Sequence, residues 1–264
     1  MVRTRRLCLA VVLAVAAGAA PAAARTIAWS GYNWDVRTQG LSGPGPNYWS
    51  DSTSNVSVEP SGVLDLSVVR NGPGGAWTSS ELDGETHLGY GRYTWVVDSN
   101  LSASALDNYE VLGLFTYDDN SPERSHNEID IEASHWGDAT FPTGSGTVYH
   151  NSGGQTEVDF PFSSSPPYIC TFDWTPGQIH WTITDMAGAT LADWTETSDI
   201  PVPATEVPVM NLWRFENRPP ASLQTIRIAS FTFVPYESAT PPPPPPPPPS
   251  TNPPPHRHRH HPPK

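Results

Sequence analysis

Glu128-Ile129-Asp130-Ile131-Glu132 alternates strictly between acidic and β-branched residues. A period of two puts Ile129 and Ile131 on one face of a strand and Glu128, Asp130 and Glu132 on the other, and the whole stretch from His126 to Glu132 reads as one half-buried strand. Such a strand belongs in a sheet with one face on a core and the other open. Three carboxylates along a single face repel one another and gain nothing for folding, so the row calls for a reason outside stability.

Paired carboxylates are the usual equipment for cleaving glycosidic bonds: one attacks the sugar, and the other, protonated, gives its proton to the departing oxygen. Glu128 and Glu132 are the candidate pair. At roughly 3.3 Å per residue their Cα atoms lie about 13 Å apart, whereas a retaining pair needs carboxyls about 5 to 5.5 Å apart. The sheet is therefore expected to be concave here, with both long side chains leaning over the shorter Asp130, which would share a hydrogen bond or a proton with them. A solvated acidic face or a calcium site is the competing reading of the same spacing.

The remaining composition points to one all-β domain. Trp, Tyr and Phe total 27, with 20 Gly and 31 Pro in 264 residues. No stretch beyond the N-terminus keeps a helical period, so short strands and many turns are predicted. Residues 1–24 carry Arg3, Arg5 and Arg6, an apolar run from Leu7 to Ala17 and a small-residue end, the layout of a secretory signal. The run is shorter than the ~20 residues of a membrane span. Secretion, to the exterior or the periplasm, is the expectation. Cleavage near Arg25 would leave Cys170 as the one cysteine, read as a small buried apolar residue among Tyr168, Ile169 and Phe172.

Between Thr26 and Ser238 stand 27 acidic residues against seven arginines and no lysine, a net charge of −20. A net charge of this sign disfavours nucleic acid as a partner, and a neutral polymer such as a glucan is compatible. Residues 239–264 hold nine consecutive prolines and the tract His256-Arg257-His258-Arg259-His260-His261, which read as a polyproline spacer with a basic tip and no core. The catalytic domain is thus placed at 25–238.

Strands are predicted at Val56–Val58 and Val63–Val69, joined by a turn at Glu59-Pro60-Ser61-Gly62, and then around Trp77–Leu82, Leu88–Val97 and Val111–Tyr117. After the acidic strand come Thr147–His150, Ile169–Trp174 with a hairpin to Trp181, Val207–Trp213 and Ile226–Val234. In the last, the apolar phase slips between Ile228 and Phe231, so a β-bulge is expected near Ala229-Ser230. Trp29 to Trp49 reads as loop, with Asn47 and Trp49 as cleft candidates.

Taken together, these segments resemble glycoside hydrolase family 16, the retaining β-glucanases and galactanases with a concanavalin-like jelly roll. The resemblance rests on Glu128–Glu132, Ser80-Glu81 ahead of Leu88-Gly89-Tyr90-Gly91-Arg92-Tyr93, Leu114-Phe115-Thr116-Tyr117, Phe172-Asp173-Trp174-Thr175-Pro176-Gly177, and Met210-Asn211-Leu212-Trp213. It implies a β-sandwich of two antiparallel sheets with a concave substrate cleft. It also implies Glu128 as nucleophile, Glu132 as general acid/base with a pKa raised by the charge of Glu128, and Asp130 as their modulator. Glu81, Phe115, Tyr117, Asn211 and Trp213 match positions that face sugars.

The unbroken acidic spacing is similar to the lichenase and xyloglucan-active branch. His126-Asn127 stands where lichenases carry an aromatic and an acid, and His126, in phase with Glu128, is a further cleft candidate that bears on subsite shape and on both pKa values. The expected activity is endo-hydrolysis of a β-1,3- or mixed-linkage β-1,3-1,4-glucan by a monomer. No cofactor is required, and a structural calcium is compatible. A non-catalytic carbohydrate-binding jelly roll and a cell-wall transglycosylase are the alternatives.

Overall fold

The computed structural model describes residues 25–38 and 40–237. Residues 1–24, where a secretory signal is expected, and the proline-rich stretch 239–264 lie outside them. In chain order the strands are β1 (Arg25–Trp29), β2 (Tyr32–Val36), β3 (Leu41–Ser42), β4 (Asn47–Trp49), β5 (Val56–Val58), β6 (Leu64–Val68), β7 (Thr78–Gly84), β8 (Gly91–Val97) and β9 (Glu110–Tyr117). They continue with β10 (Ile129–Ala133), β11 (Gly144–Tyr149), β12 (Gln155–Phe160), β13 (Tyr168–Thr175), β14 (Gln178–Asp185), β15 (Thr190–Glu196), β16 (Val207–Arg214) and β17 (Gln224–Pro235). Among the described residues no helix is long and apolar enough to cross a membrane.

Two sheets form a jelly-roll sandwich. The larger runs β1-β2-β7-β16-β9-β10-β11-β12, with β3 and β4 attached beside β7, and the smaller runs β15-β14-β13-β8-β17-β6-β5. Pairing is antiparallel throughout except between β4 and β7. The predicted all-β sandwich is therefore what the chain forms.

Aromatic side chains fill the space between the sheets. Trp34 on β2 meets Phe231 on β17 edge-on at 5.3 Å, and Tyr93 on β8 stacks on Phe172 of β13 at 4.7 Å. Each such ring, fully removed from water, contributes on the order of 2 to 3 kcal/mol of transfer free energy. Cys170 is buried in this core as expected, and burial pushes its thiol up to about 12.

The stretch Trp29–Trp49 departs from the loop reading. Ser30-Gly31 closes a tight hairpin between β1 and β2, and Trp29 and Trp34 belong to the core. Strands β12 and β15 carry too few buried residues to have been read from sequence. The bulge expected in the last strand is present, between Ile228 and Ser230 opposite β8.

One core contact bears on the site. Trp181 on β14 reaches across the sandwich and donates its indole N–H to the backbone carbonyl of Asp130 at 3.1 Å. Its ring is stacked on Trp194 at 4.6 Å. The indole of Trp194 occupies the space where a Cβ on Gly146 would sit, so glycine is required on β11 beside the acidic strand.

Candidate active site

Register assembles the site on the outer face of the ten-stranded sheet. Asp130 opposes Phe115 on β9 and Thr147 on β11, and Phe115 opposes Val209 on β16, which opposes Asp83 on β7. The adjoining row runs Glu81, Asn211, Gly113, Glu132, Ser145 and Asp159. Directly opposed residues share a face, so these side chains all point away from the core. Yet Glu81, Asp130, Asn211 and Trp213 are each 6% exposed or less. Outward-pointing side chains that water barely reaches form the floor of a cleft.

The acidic strand starts later than its sequence pattern suggests. His126 and Asn127 have φ of 48° and 53°, in the left-handed region, so extended backbone begins at Ile129. The phase argument that aligned His126 with Glu128 fails for this reason. His126 instead stacks on Tyr117, ring centroids 5.1 Å apart, and its Nδ1–H donates to the Asp118 carbonyl at 3.0 Å. Asn127, which the sequence did not single out, is buried and donates to Glu206.

Burial dominates the electrostatics. It raises Glu128 to about 7. It raises Glu132 to about 8, with smaller contributions from the charges of Glu128 and then Glu157. Asp130 is pushed well above the usual carboxylate range, again by burial first and then by Glu128, Glu132 and Glu157. The expected rise of Glu132 through the charge of Glu128 is present, and desolvation of the charged form adds a larger one. Asp130 and the glutamates are coupled through charge. His126 has no part in the shifts of Glu128 and Glu132.

Glu157 was invisible in the sequence because β12 was not read as a strand. Register places it opposite Thr147, two strands beyond Asp130, on the same face. Asp83 is a second unpredicted acid on the floor, raised to about 8 by burial and then by Glu81.

Glu81 is held on both carboxylate oxygens, one accepting from Arg37 Nη1 at 2.6 Å and the other from Asn211 Nδ2 at 3.0 Å. This leaves Asn211 Oδ1 buried with no partner, an acceptor still open on the cleft floor. Phe115 and Tyr117 follow one another on the same face of β9, edge to face at 6.4 Å.

The other two cleft candidates are occupied by the fold. Asn47 donates to the carbonyls of Pro44 and Arg214 and accepts from Ser79 Oγ and the Arg214 N–H. Trp49 lies beneath the Arg37 guanidinium at 4.4 Å, with its N–H on the Ser42 carbonyl. Among the described residues no group of three or more His, Cys, Asp or Glu side chains is placed to hold a metal ion.

By sequence the chain matches no family profile and no curated protein. Solved structures do match. A β-glucanase of Bacillus licheniformis aligns over 76% of this chain and 91% of its own with 22% identity and a TM-score of 0.58. A prokaryotic β-1,3-1,4-glucanase (lichenase) from a mouse hindgut metagenome aligns over 77% and 93% with 22% identity and a TM-score of 0.58. An immunostimulatory antigen and pseudo β-1,3-glucanase of Mycobacterium tuberculosis aligns over 77% and 91% with 18% identity and a TM-score of 0.58. The chain therefore has the fold of the glycoside hydrolase family 16 glucanases.

Proposed function

We propose that the protein is a secreted, monomeric glycosidase that cleaves a β-1,3- or mixed-linkage β-1,3-1,4-glucan internally, with retention, through a glycosyl-enzyme. The observation that carries this reading is the acidic row itself: Asp130 and Glu132 stand on the cleft face of β10 with Glu128 immediately ahead of that strand, and burial raises both glutamates, Glu132 with a further rise from the charge of Glu128. That ordering favours an ionised nucleophile beside an acid that keeps its proton, the state the first step needs. The names of the matched glucanases support the substrate class, and the layout of residues 1–24 supports secretion.

In the first step a Glu128 oxygen bonds to the anomeric carbon as the glycosidic C–O bond breaks, and the leaving oxygen takes the proton of Glu132. Esterification removes the negative charge of Glu128, which releases one of the contributions that held Glu132 protonated. Glu132 then accepts a proton from water as that water attacks the anomeric carbon and Glu128 departs as carboxylate. Asp130, buried between them and raised above the usual carboxylate range, keeps a neutral group under the reacting pair.

Reducing-sugar release from mixed-linkage glucan, laminarin, xyloglucan and agarose tests the reading. Release from a β-glucan that disappears in folded Glu128→Gln is the expected result. A second reading, carbohydrate binding without turnover, is favoured by one observation: the same fold occurs in a protein described as a pseudo β-1,3-glucanase. Binding to a glycan with no release from any of the four polymers would establish that reading instead.

A further inference from the structure

Five apolar side chains gather outside the sandwich core. Trp49, Val111 and Trp213 are buried, and Trp136 and Phe215 pack half-buried against them. Val111 and Trp213 oppose one another in register on the cleft face. Trp213 lies two strands across and two residues along from Glu132, on the order of 12 Å away. Aromatic surface on the open side of a sheet adds nothing to the layer between the sheets, so its placement needs a different account.

The loops that present it are held in a costly conformation. Trp136 has φ of 50°, a left-handed backbone in which a bulky residue is a genuine outlier. The surrounding loop fixes it there. The Trp136 N–H donates to Ser134 Oγ at 3.0 Å, the Gly137 N–H to the Asn108 carbonyl at 2.7 Å, and the Ser134 N–H to the Thr143 carbonyl at 3.0 Å. On the opposite side, Phe215 begins a turn in which Glu216 and Asn217 have φ of 51° and 52°. Backbone strain that is kept in place by several bonds concentrates at sites of function.

The ring geometry suits a sugar. Trp136 meets Trp213 at 6.0 Å and 61°, and Phe215 at 5.4 Å and 86°, so both neighbours present edges and neither is stacked flat on the indole. A pyranose offers an apolar C–H face to such a ring, with its hydroxyls directed outward.

We propose that Trp136, backed by Trp213 and Phe215, is a sugar-binding platform at the end of the cleft beyond Glu132, taking a neutral pyranose unit of the chain outside the two that flank the scissile bond. This rests on the β-glycan reading of the cleft, and it assigns Trp136 to binding, with no role in the chemistry.

The test measures binding in the Glu128→Gln protein by calorimetry, using gluco-oligosaccharides of two to six units in β-1,3 and mixed linkage, with xyloglucan and agarose oligosaccharides alongside. Trp136→Ala should weaken the longest bound oligosaccharides by roughly tenfold and leave the shortest unchanged, and Trp136→Phe should keep most of the affinity. Equal loss at every length, no loss at any length, or no binding by any of these glycans overturns the proposal. A length-dependent loss in a protein that hydrolyses nothing would leave the platform standing while the catalytic reading fell. Hydrolysis that depends on Glu128, with Trp136→Ala indifferent to length, would do the reverse.

Discussion

The Asn127 amide donates to the Glu206 carboxylate at 2.9 Å and to the Val202 carbonyl at 3.0 Å, joining the turn ahead of Glu128 to the segment that leads into β16, about 75 to 79 residues on. The Asn127 carbonyl in turn accepts from Thr116 Oγ1 at 2.7 Å. A left-handed residue immediately before Glu128 is thus fixed from both sides.

Removing the amide should loosen that turn. We expect Asn127→Ala to lose about 1 to 3 kcal/mol of stability and roughly tenfold or more in kcat, with KM little changed, through displacement of Glu128. Asn127→Gly tolerates the left-handed backbone, so it should be the milder of the two despite making the same hydrogen-bond deletion. Urea denaturation and steady-state kinetics on both variants separate backbone strain from bonding. Equal effects of the two substitutions would argue against strain as the issue.

Activity should be confined to a narrow pH window. Its acid limb should follow ionisation of Glu128 at about 7, and its alkaline limb loss of the proton from Glu132 at about 8. Stability should run the other way across much of this range. Both groups are raised from 4.5, so between that value and about 8 the folded protein binds more protons than the unfolded chain. Their contribution is therefore most favourable at acid pH and is lost as pH rises. Thermal midpoints measured from pH 5 to 9 should show this fall, and Glu132→Gln should flatten it.

Glu157 acts on the same window from two strands away. Its charge raises Glu132 and Asp130 but is not among the causes of the Glu128 shift. Glu157→Gln is expected to move the alkaline limb of kcat/KM downward and leave the acid limb in place. Added salt should move the wild-type limb in the same direction by screening. A shift of both limbs together would point to a general rearrangement of the cleft.

Gly146 tests the packing beneath the acids. A methyl there would enter the indole of Trp194, and we expect Gly146→Ala to destabilise the fold by about 1 to 3 kcal/mol or more through overpacking. In a Trp194→Ala background the same substitution should have little effect. Denaturant titrations of the four proteins in this cycle give the coupling directly.

Much of the scaffold was legible because β6, β8, β13 and β16 each carry several core residues in phase, and the acidic row on β10 announces itself by alternation alone. β12 could not be read, since Phe160 is its one buried residue. Glu157 was lost with it. The β1–β2 hairpin was obscured because its turn residues drew attention away from the alternation of Trp34 and Val36 with Asn33 and Asp35. The phase of His126 could not be read because period-two reasoning assumes extended backbone, which positive φ at two successive residues breaks; its place against Tyr117 comes from the turn instead. Which acid lies beside which is a matter of register, and register between distant strands is set by the whole sandwich.

Strand β12 also ends the larger sheet, with one side of its backbone unpaired by any strand of that sheet. Its open-face row, Gln155, Glu157 and Asp159, is exposed. An open edge is a template for another chain, and two carboxylates of like sign on a short strand make a second copy a poor match. The acid that tunes Glu132 therefore also guards the protein against edge-to-edge aggregation.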